Sequence, residues 1–335
     1  MKSARIVSLL ANWAWSFLLT PLACSGAVLD AGWDSPHGLL PVDERNPVIL
    51  SNDSPGDNWQ GVYAVLFANS GGPALAGIII NESIYWPDLG TNSAGWRNLV
   101  TAARASGLRN IPDPIASVGR PLVRPSDGTI DSTVPNRSEG AHLIVKASAQ
   151  LSLPYRPLVV VTGGRLTDVA DAYLIDNSVV DRVVVVSSLG SISTTSGTMS
   201  APNGELDPWA DWIVAQRFSF AQVSAYYDQT GDVLSSQLSS LPQNPLGQLI
   251  AAQQPNIRNL ATAADQVSVL AVALPKFVVA VERVSQDPAA SFDPTTGPAL
   301  LPDANGRIWL VTSSDAALAA ARLWQLLLDA KTFGK

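Results

Sequence analysis

The sequence predicts an α/β chain built on a mostly parallel, open sheet with helices on both faces. Apolar runs of five to seven residues recur at 47–51, 74–80, 113–118, 157–162, 182–188 and 219–225. Between them, segments at 57–68, 93–106, 137–151, 166–175, 208–217 and 264–274 place their apolar residues at helical spacing. Strands that alternate with helices form parallel sheets, and strands covered on both faces read as continuous apolar runs. With 335 residues, 47% hydrophobic and 15% charged, the chain is long and apolar enough to bury a large core. No linker or charge run divides its middle, so one large domain is expected.

In chain order, residues 1–27 read as a signal peptide. Lys2 and Arg5 precede an apolar stretch from Ile6 to Ala23, and Ser25-Gly26-Ala27 offers a small-residue cleavage site. An uncleaved anchor is the alternative, since the stretch approaches the length of a membrane span. Lipid attachment at Cys24 is a second alternative. As the only cysteine, Cys24 excludes an intramolecular disulfide and a cysteine-based metal site. The mature protein is expected near Val28, outside the cytoplasm, secreted or periplasmic, with no membrane span left after cleavage. Residues 28–45 read as an exposed lead-in and 46–335 as the folded domain.

Within the domain, Val48-Ile49-Leu50 reads as a buried strand that empties into a loop carrying Asp53, Asp57 and Asn58, followed by a helix. Oxygen ligands thus gather where a strand ends and a helix begins, the usual position of a binding crevice in an open α/β sheet. Calcium takes six to eight oxygens, several from carboxylates, and this loop offers two or three. The plainer reading has Asp57 capping the helix and Asp53 in a turn. Further on, 229–256 is rich in Ser, Gln and Leu and reads as a helical flap over the site. Residues 276–284 and 307–312 read as a late strand pair. Ser313 or Ser314 is expected to cap a last helix ending near Lys331.

Seven segments, in order, resemble the nucleoside hydrolase family. Pro47 to Asn58 is similar to a strand running into Asp-x-Asp-Pro-Gly-x-Asp-Asp, with Ser51 on the first Asp, Asp53 on the second, and Asp57-Asn58 on the last pair. A rival register puts Ser54 on the second Asp and Asn58-Trp59 on the pair. Leu75 to Asn81 resembles the second strand with its sugar-contacting Asn, and Ile111 to Pro125 the third strand with Pro-Leu-Val-Arg-Pro. Thr162-Gly-Gly-Arg-Leu-Thr-Asp168 is similar to Thr-Gly-(Gly/Pro)-Leu-Thr-Asn, and Val180 to Val186 to the strand after it. Asn203 lies ahead of Asp207-Pro208 as in the family, and Ala264-Asp265 opens a segment like the His-Asp-x-x-x-Val helix.

The resemblance implies a Rossmann-like nucleoside hydrolase fold and a calcium-dependent hydrolase that cleaves the N-glycosidic bond of nucleosides or related ribosides. It implies Asp53 as general base, and Asp53, Asp57, Asn58, the Thr162 carbonyl and Asp265 as metal ligands. Asp57, Asn81, Asn203 and Asp265 would contact the sugar, and Trp86 would stack on the nucleobase; Trp209 or Trp212 could stack instead, against core packing. Asp265 as a simple helix cap is the alternative for that residue. The chain departs from the pattern at Ser51, Asn58 and Ala264, which stands where relatives place a His, and at Thr198 and Ala201. These departures bring a second class forward, a relative that binds a nucleoside or sugar without turnover. A third class keeps only the fold.

Other chemistries are excluded or weak. Neither a Gly-x-Gly-x-x-Gly, a Walker loop nor a Gly-x-Ser-x-Gly elbow occurs. The two histidines, His37 in the lead-in and His142 in a helical pattern, make a Ser-His-Asp hydrolase unsupported. A net charge of −7 without a basic cluster argues against nucleic-acid binding and favours cation attraction. Assembly as a homo-oligomer is left open.

Overall fold

A computed structural model describes residues 42–53, 60–83, 86–188, 191–193, 198–200, 206–223, 240–252, 265–295 and 298–328. The signal-peptide region, Asp57, Asn58 and Asn203 lie outside these residues. At the end of the stretch read as an exposed lead-in, Val42 and Asp43 are buried, because Val42 joins the apolar core and Asp43 closes a turn on Asn46.

The principal sheet has nine strands among the described residues: β1 (Pro47–Asn52), β2 (Ala74–Ile80), β3 (Pro114–Ala116), β4 (Leu158–Thr162), β5 (Val183–Ser187), β8 (Ser219–Val223), β9 (Val278–Gln286), β10 (Leu300–Pro302) and β11 (Ile308–Ser314). Their order is β10-β9-β11-β8-β5-β4-β1-β2-β3. From β11 to β3 all neighbours are parallel, and β9 and β10 add an antiparallel end. A separate hairpin pairs β6 (Ser191–Ser193) with β7 (Thr198–Ser200). The mostly parallel sheet expected from the apolar runs is the one observed, and the 276–284 and 307–312 runs do pair with each other.

The helices are α1 (Gln60–Ala68), α2 (Leu89–Ala105), α3 (Glu139–Leu151), α4 (Thr167–Ile175), α5 (Pro208–Arg217), α6 (Pro245–Ala252), α7 (Gln266–Ala273) and α8 (Ala316–Leu328). None of the described helices is long and apolar enough to cross a membrane. Alternation along the strands divides the core into two layers. Val48, Leu50, Val159, Val161, Val184 and Val186 face one layer with α1, α2, α7 and α8. Ile49, Leu158, Val160, Val183 and Val185 face the other with α3, α4 and α5.

Side-chain caps set the helix boundaries. Asp88 Oδ1 accepts from the Gly90 and Thr91 amides at 2.8 and 3.1 Å, so α2 begins four residues before the apolar spacing indicated. Asp207, followed by Pro208 at the first helical position, accepts from the Ala210 amide at 3.0 Å and starts α5. The last helix is capped by Asp315, which accepts from the Leu318 amide at 2.9 Å; Ser313 and Ser314 remain in β11. The described part of the expected flap, α6, packs at the C-terminal end of α2, where Ser106 Oγ accepts from the Leu246 amide at 2.8 Å. That end lies with the N-terminal ends of the strands, so α6 does not cover the opposite, C-terminal edge. Residues 224–239 and 253–264 are outside the described ones.

Buried acids tie the long β3–α3 connection to α4 and α5. Asp168 accepts from Ser117 Oγ at 2.5 Å and Ser138 Oγ at 2.8 Å, and Asp171 accepts from the Ser138 amide at 2.8 Å. Asp207 accepts from the Leu122 amide at 2.9 Å and Thr167 Oγ1 at 2.6 Å. Burial pushes the carboxyls of Asp168 and Asp207 up, opposed by these bonds and by the nearby Arg165 charge.

Asp211 on α5 differs from them. Burial pushes its carboxyl well above the ordinary carboxylate range, and the charge of Asp207 pushes it further. An acid raised in this way keeps its proton to a higher pH in the folded chain than in the unfolded one. Its contribution to stability is complete in acid and is lost as pH rises through the folded-state value. Asp211→Asn, neutral at every pH, should melt with the wild type at pH 4 and above it at pH 8. Differential scanning calorimetry at the two pH values checks both the sign and the pH dependence.

Candidate active site

The strand order reverses direction between β1 and β4. From β1 the chain runs outward through β2 to β3, then returns to β4 on the other side of β1. Such a switch point opens a crevice at the C-terminal ends of the strands, because the flanking connections diverge there. Here every strand around the switch ends in buried polar residues: Ser51 and Asn52 on β1 with Asp53 after it, Asn81 after β2, Thr162 on β4 and Ser187 on β5. In register, Ser51 lies beside Thr162 and Thr162 beside Ser187.

Period-2 alternation sends consecutive residues of β1 to opposite faces. On the α3–α4 side, Ser51 Oγ accepts from Asn81 Nδ2 at 3.0 Å, and the same amide reaches the Arg165 carbonyl at 3.4 Å. On the α7 side, Asn52 Nδ2 donates to Asp265 Oδ2 at 3.0 Å, joining residues 213 positions apart. Asp53 is buried at the exit of β1, where its carbonyl accepts from Trp96 Nε1 of α2 at 3.1 Å.

Asp265 heads a helix that is buried on all sides, Gln266 to Ala273. Such a helix belongs to the core interior, which fixes its first residue firmly. Asp265 has helical φ and ψ of −66° and −18° and makes no side-chain cap. Its carboxylate is turned to Asn52 instead, which decides against the simple-cap alternative. The close approach depends on Gly163. A Cβ there would stand 2.3 Å from Asn52 Nδ2 and 2.5 Å from Asp265 Cγ. A Cβ on Gly164 would stand 2.0 Å from Asn81 Oδ1.

The other expected site residues are placed as follows. The Thr162 carbonyl accepts from the Ser188 amide at 3.0 Å and retains a second lone pair. Trp86 is half-buried in a turn held by Asn92, whose Nδ2 donates to the Trp86 carbonyl at 2.9 Å and to the Asn81 carbonyl at 3.0 Å. Trp209 and Trp212 stack on each other at 6.5 Å and meet Phe292 edge-on, and Trp209 Nε1 donates to Thr133 Oγ1 at 3.0 Å. Their role is packing. Among the described residues no group of three or more His, Cys, Asp or Glu side chains is arranged to hold a metal ion.

Two residues of the site carry no signal in the motifs. Asn52 sits between the motif positions and is uncharged; its even position in a strand facing α7 is the available sign of its role. Arg165, buried, donates to the Gly119 carbonyl and lies 3.5 Å from Glu82 at the mouth of the crevice. It is an extra residue inside the Thr-Gly-Gly segment, and nothing in the pattern indicates its partners.

No family model matches the chain, and no curated protein does. Solved structures do. An inosine–guanosine nucleoside hydrolase superposes with a TM-score of 0.59 at 16% identity, covering 84% of this chain and 98% of its own. The inosine–uridine-preferring nucleoside hydrolase of Bacillus anthracis gives 0.57 at 16% identity, covering 84% and 99%. The type III effector protein XopQ, in complex with adenosine diphosphate ribose, gives 0.56 at 12% identity, covering 89% and 97%. This is the nucleoside hydrolase fold. The nucleoside hydrolase-like architecture expected from the seven segments is therefore the one the chain adopts, at an identity low enough that the likeness concerns fold.

Gly163→Ala tests the close approach within this nucleoside hydrolase-like sheet. The added methyl must part Asn52 from Asp265, at an overpacking cost of about 1–3 kcal/mol. Urea denaturation should show that loss with an unchanged m-value.

Proposed function

We propose that the chain is an exported hydrolase that cleaves the N-glycosidic bond of nucleosides or related ribosides, with calcium at the switch-point crevice. The observation that carries this reading is the gathering of buried Asn52, Asp53, Asn81 and Thr162 at adjoining strand ends, with Asp265 brought to Asn52 from the head of α7, in the fold of the nucleoside hydrolases. The donor set suits a hard cation. Asn52 Oδ1, Asn81 Oδ1 and Thr162 Oγ1 are buried with no partner among the described residues, and such orphaned oxygens are costly unless a ligand satisfies them. Two buried carboxylates add to the set: Asp265, bonded to Asn52, and Asp53, which follows Asn52 at the exit of β1.

Asp53, Asp57, Asn58, the Thr162 carbonyl and Asp265 would hold the calcium, which when bound supplies a lowered pKa and a fixed direction to the attacking water. Asp53 takes the proton of that water. The buried carboxylates stabilise the positive charge that develops on the ribosyl ring as the bond to the base breaks. Asn81 and Asn203, with Asp57 and Asp265, bind sugar hydroxyls, and Trp86 offers a face to the base. Ala264 supplies no proton to the leaving base, so substrates with good leaving groups are favoured. Export rests on the basic, apolar and small-residue succession of residues 1–27.

A second reading has support of its own: a binding protein for a ribosyl ligand without turnover. Ser51 and Asn58 remove two carboxylates of the family pattern, and one solved neighbour is a complex with adenosine diphosphate ribose. A panel of purine and pyrimidine nucleosides assayed for free ribose separates the readings. Release of ribose from any of them supports the hydrolase. Binding of ribosides by calorimetry with no release supports the binding protein.

If hydrolysis is found, Asp53→Asn should reduce the rate by about 10² to 10⁴ while riboside binding persists. A full rate in that variant would remove Asp53 as base. Chelation should lower the melting temperature and added calcium restore it. A ligand at a hundred times its Kd adds about 2.7 kcal/mol to the native state.

A further inference from the structure

We propose that Asn52 is a positioning residue that fixes the Asp265 carboxylate and sets how strongly the crevice demands a cation. The inference rests on the crevice being the cation and ribosyl site proposed above. Asn52 is fully buried, and its Nδ2 donates to Asp265 Oδ2 at 3.0 Å. The pair is sealed by Gly163, where a Cβ would overlap both partners. A buried carboxylate must be paired or solvated. In Asp265 part of that need is met by an amide N–H carrying no net charge, from the chain itself.

Two consequences follow from the chemistry. The amide holds Asp265 in place whether or not a cation is bound, so the crevice is assembled in the metal-free chain. The amide also contributes a dipole where a second carboxylate would contribute a full negative charge, which lowers cation affinity. Asn52 Oδ1, buried and without a partner among the described residues, is left as a neutral oxygen for a cation or a sugar hydroxyl.

Asn52→Asp reverses this arrangement. It sets two carboxylates side by side, repelling when the crevice is empty and attractive to calcium when it is supplied. The experiment compares the full-length wild type, Asn52→Asp and the exchange variant Asn52→Asp/Asp265→Asn by melting in EDTA and in calcium chloride, with calorimetric titration of calcium. Asn52→Asp should melt below the wild type in EDTA, regain or exceed it in calcium, and bind calcium about 10-fold tighter or more. The exchange variant turns the hydrogen bond around at unchanged charge and should recover the melting temperature lost in EDTA.

Calcium binding in Asn52→Asp no tighter than in the wild type overturns the proposal, as does an exchange variant that melts no higher than Asn52→Asp in EDTA. If Asn52→Asp does not fold without metal, an exchange variant that folds in EDTA supports the proposal and one that does not fold overturns it. Ribose release is measured in parallel. Gain of calcium affinity in Asn52→Asp without ribose release from any of the proteins supports the positioning role and counts against the hydrolase reading alone.

Discussion

The crevice depends on how closely the exit of β4 passes Asn52 and Asp265. That passage is possible because Gly163 and Gly164 have no Cβ, and it brings three strand ends and the head of a buried helix within hydrogen-bond reach. The rest is arranged to hold it. The apolar layer under α7 fixes Asp265, Trp96 of α2 holds the Asp53 carbonyl, and Asn92 ties the exit of β2 to the turn at Trp86. A polar site can be this well buried because the apolar strands end just before it, so the desolvated groups meet one another rather than hydrocarbon.

Buried polarity has two characters in this chain. Around the β3–α3 connection, Asp168, Asp171 and Asp207 are paired with serines, a threonine and backbone amides, and the network substitutes for secondary structure in a long loop. At the switch point, buried oxygens of Asn52, Asn81 and Thr162 have no partner among the described residues. Paired polarity holds the backbone in shape; unpaired polarity is poised for something from outside. The boundary runs through Arg165, whose guanidinium meets the loop at Gly119 while its carbonyl meets Asn81.

Much of the fold was legible because both faces of the sheet are covered, which makes whole strands apolar and easy to see. Boundaries were less legible. The start of α2 is set by Asp88 ahead of a weakly apolar first turn, and Asp315 rather than a neighbouring serine starts α8. Apolar spacing carries no information about such caps. The positions of the candidate residues were legible, since Asp53, Asn81, Thr162 and Asp265 all lie at the strand ends or helix head that the spacing implied. The partner of Asp265 was not, because a neutral Asn carries no weight in a pattern of carboxylates; the alternation that sends it towards α7 emerges only once the two layers are known. Trp209 and Trp212 gave no sequence sign of their mutual stacking.

The two ends of the sheet have a bearing on how copies of the chain can meet. One edge is β3, three residues beginning at Pro114, and the other is β10, three residues ending at Pro302. Prolines lack the amide hydrogen that a further strand must receive, and strands so short present few open groups. Each of these two short strands is a poor template for another. Association by sheet extension is thereby disfavoured at β3 and β10, and among the described residues the longer stretch left for it is the part of β9 that β10 does not cover, from Val278 to Arg283.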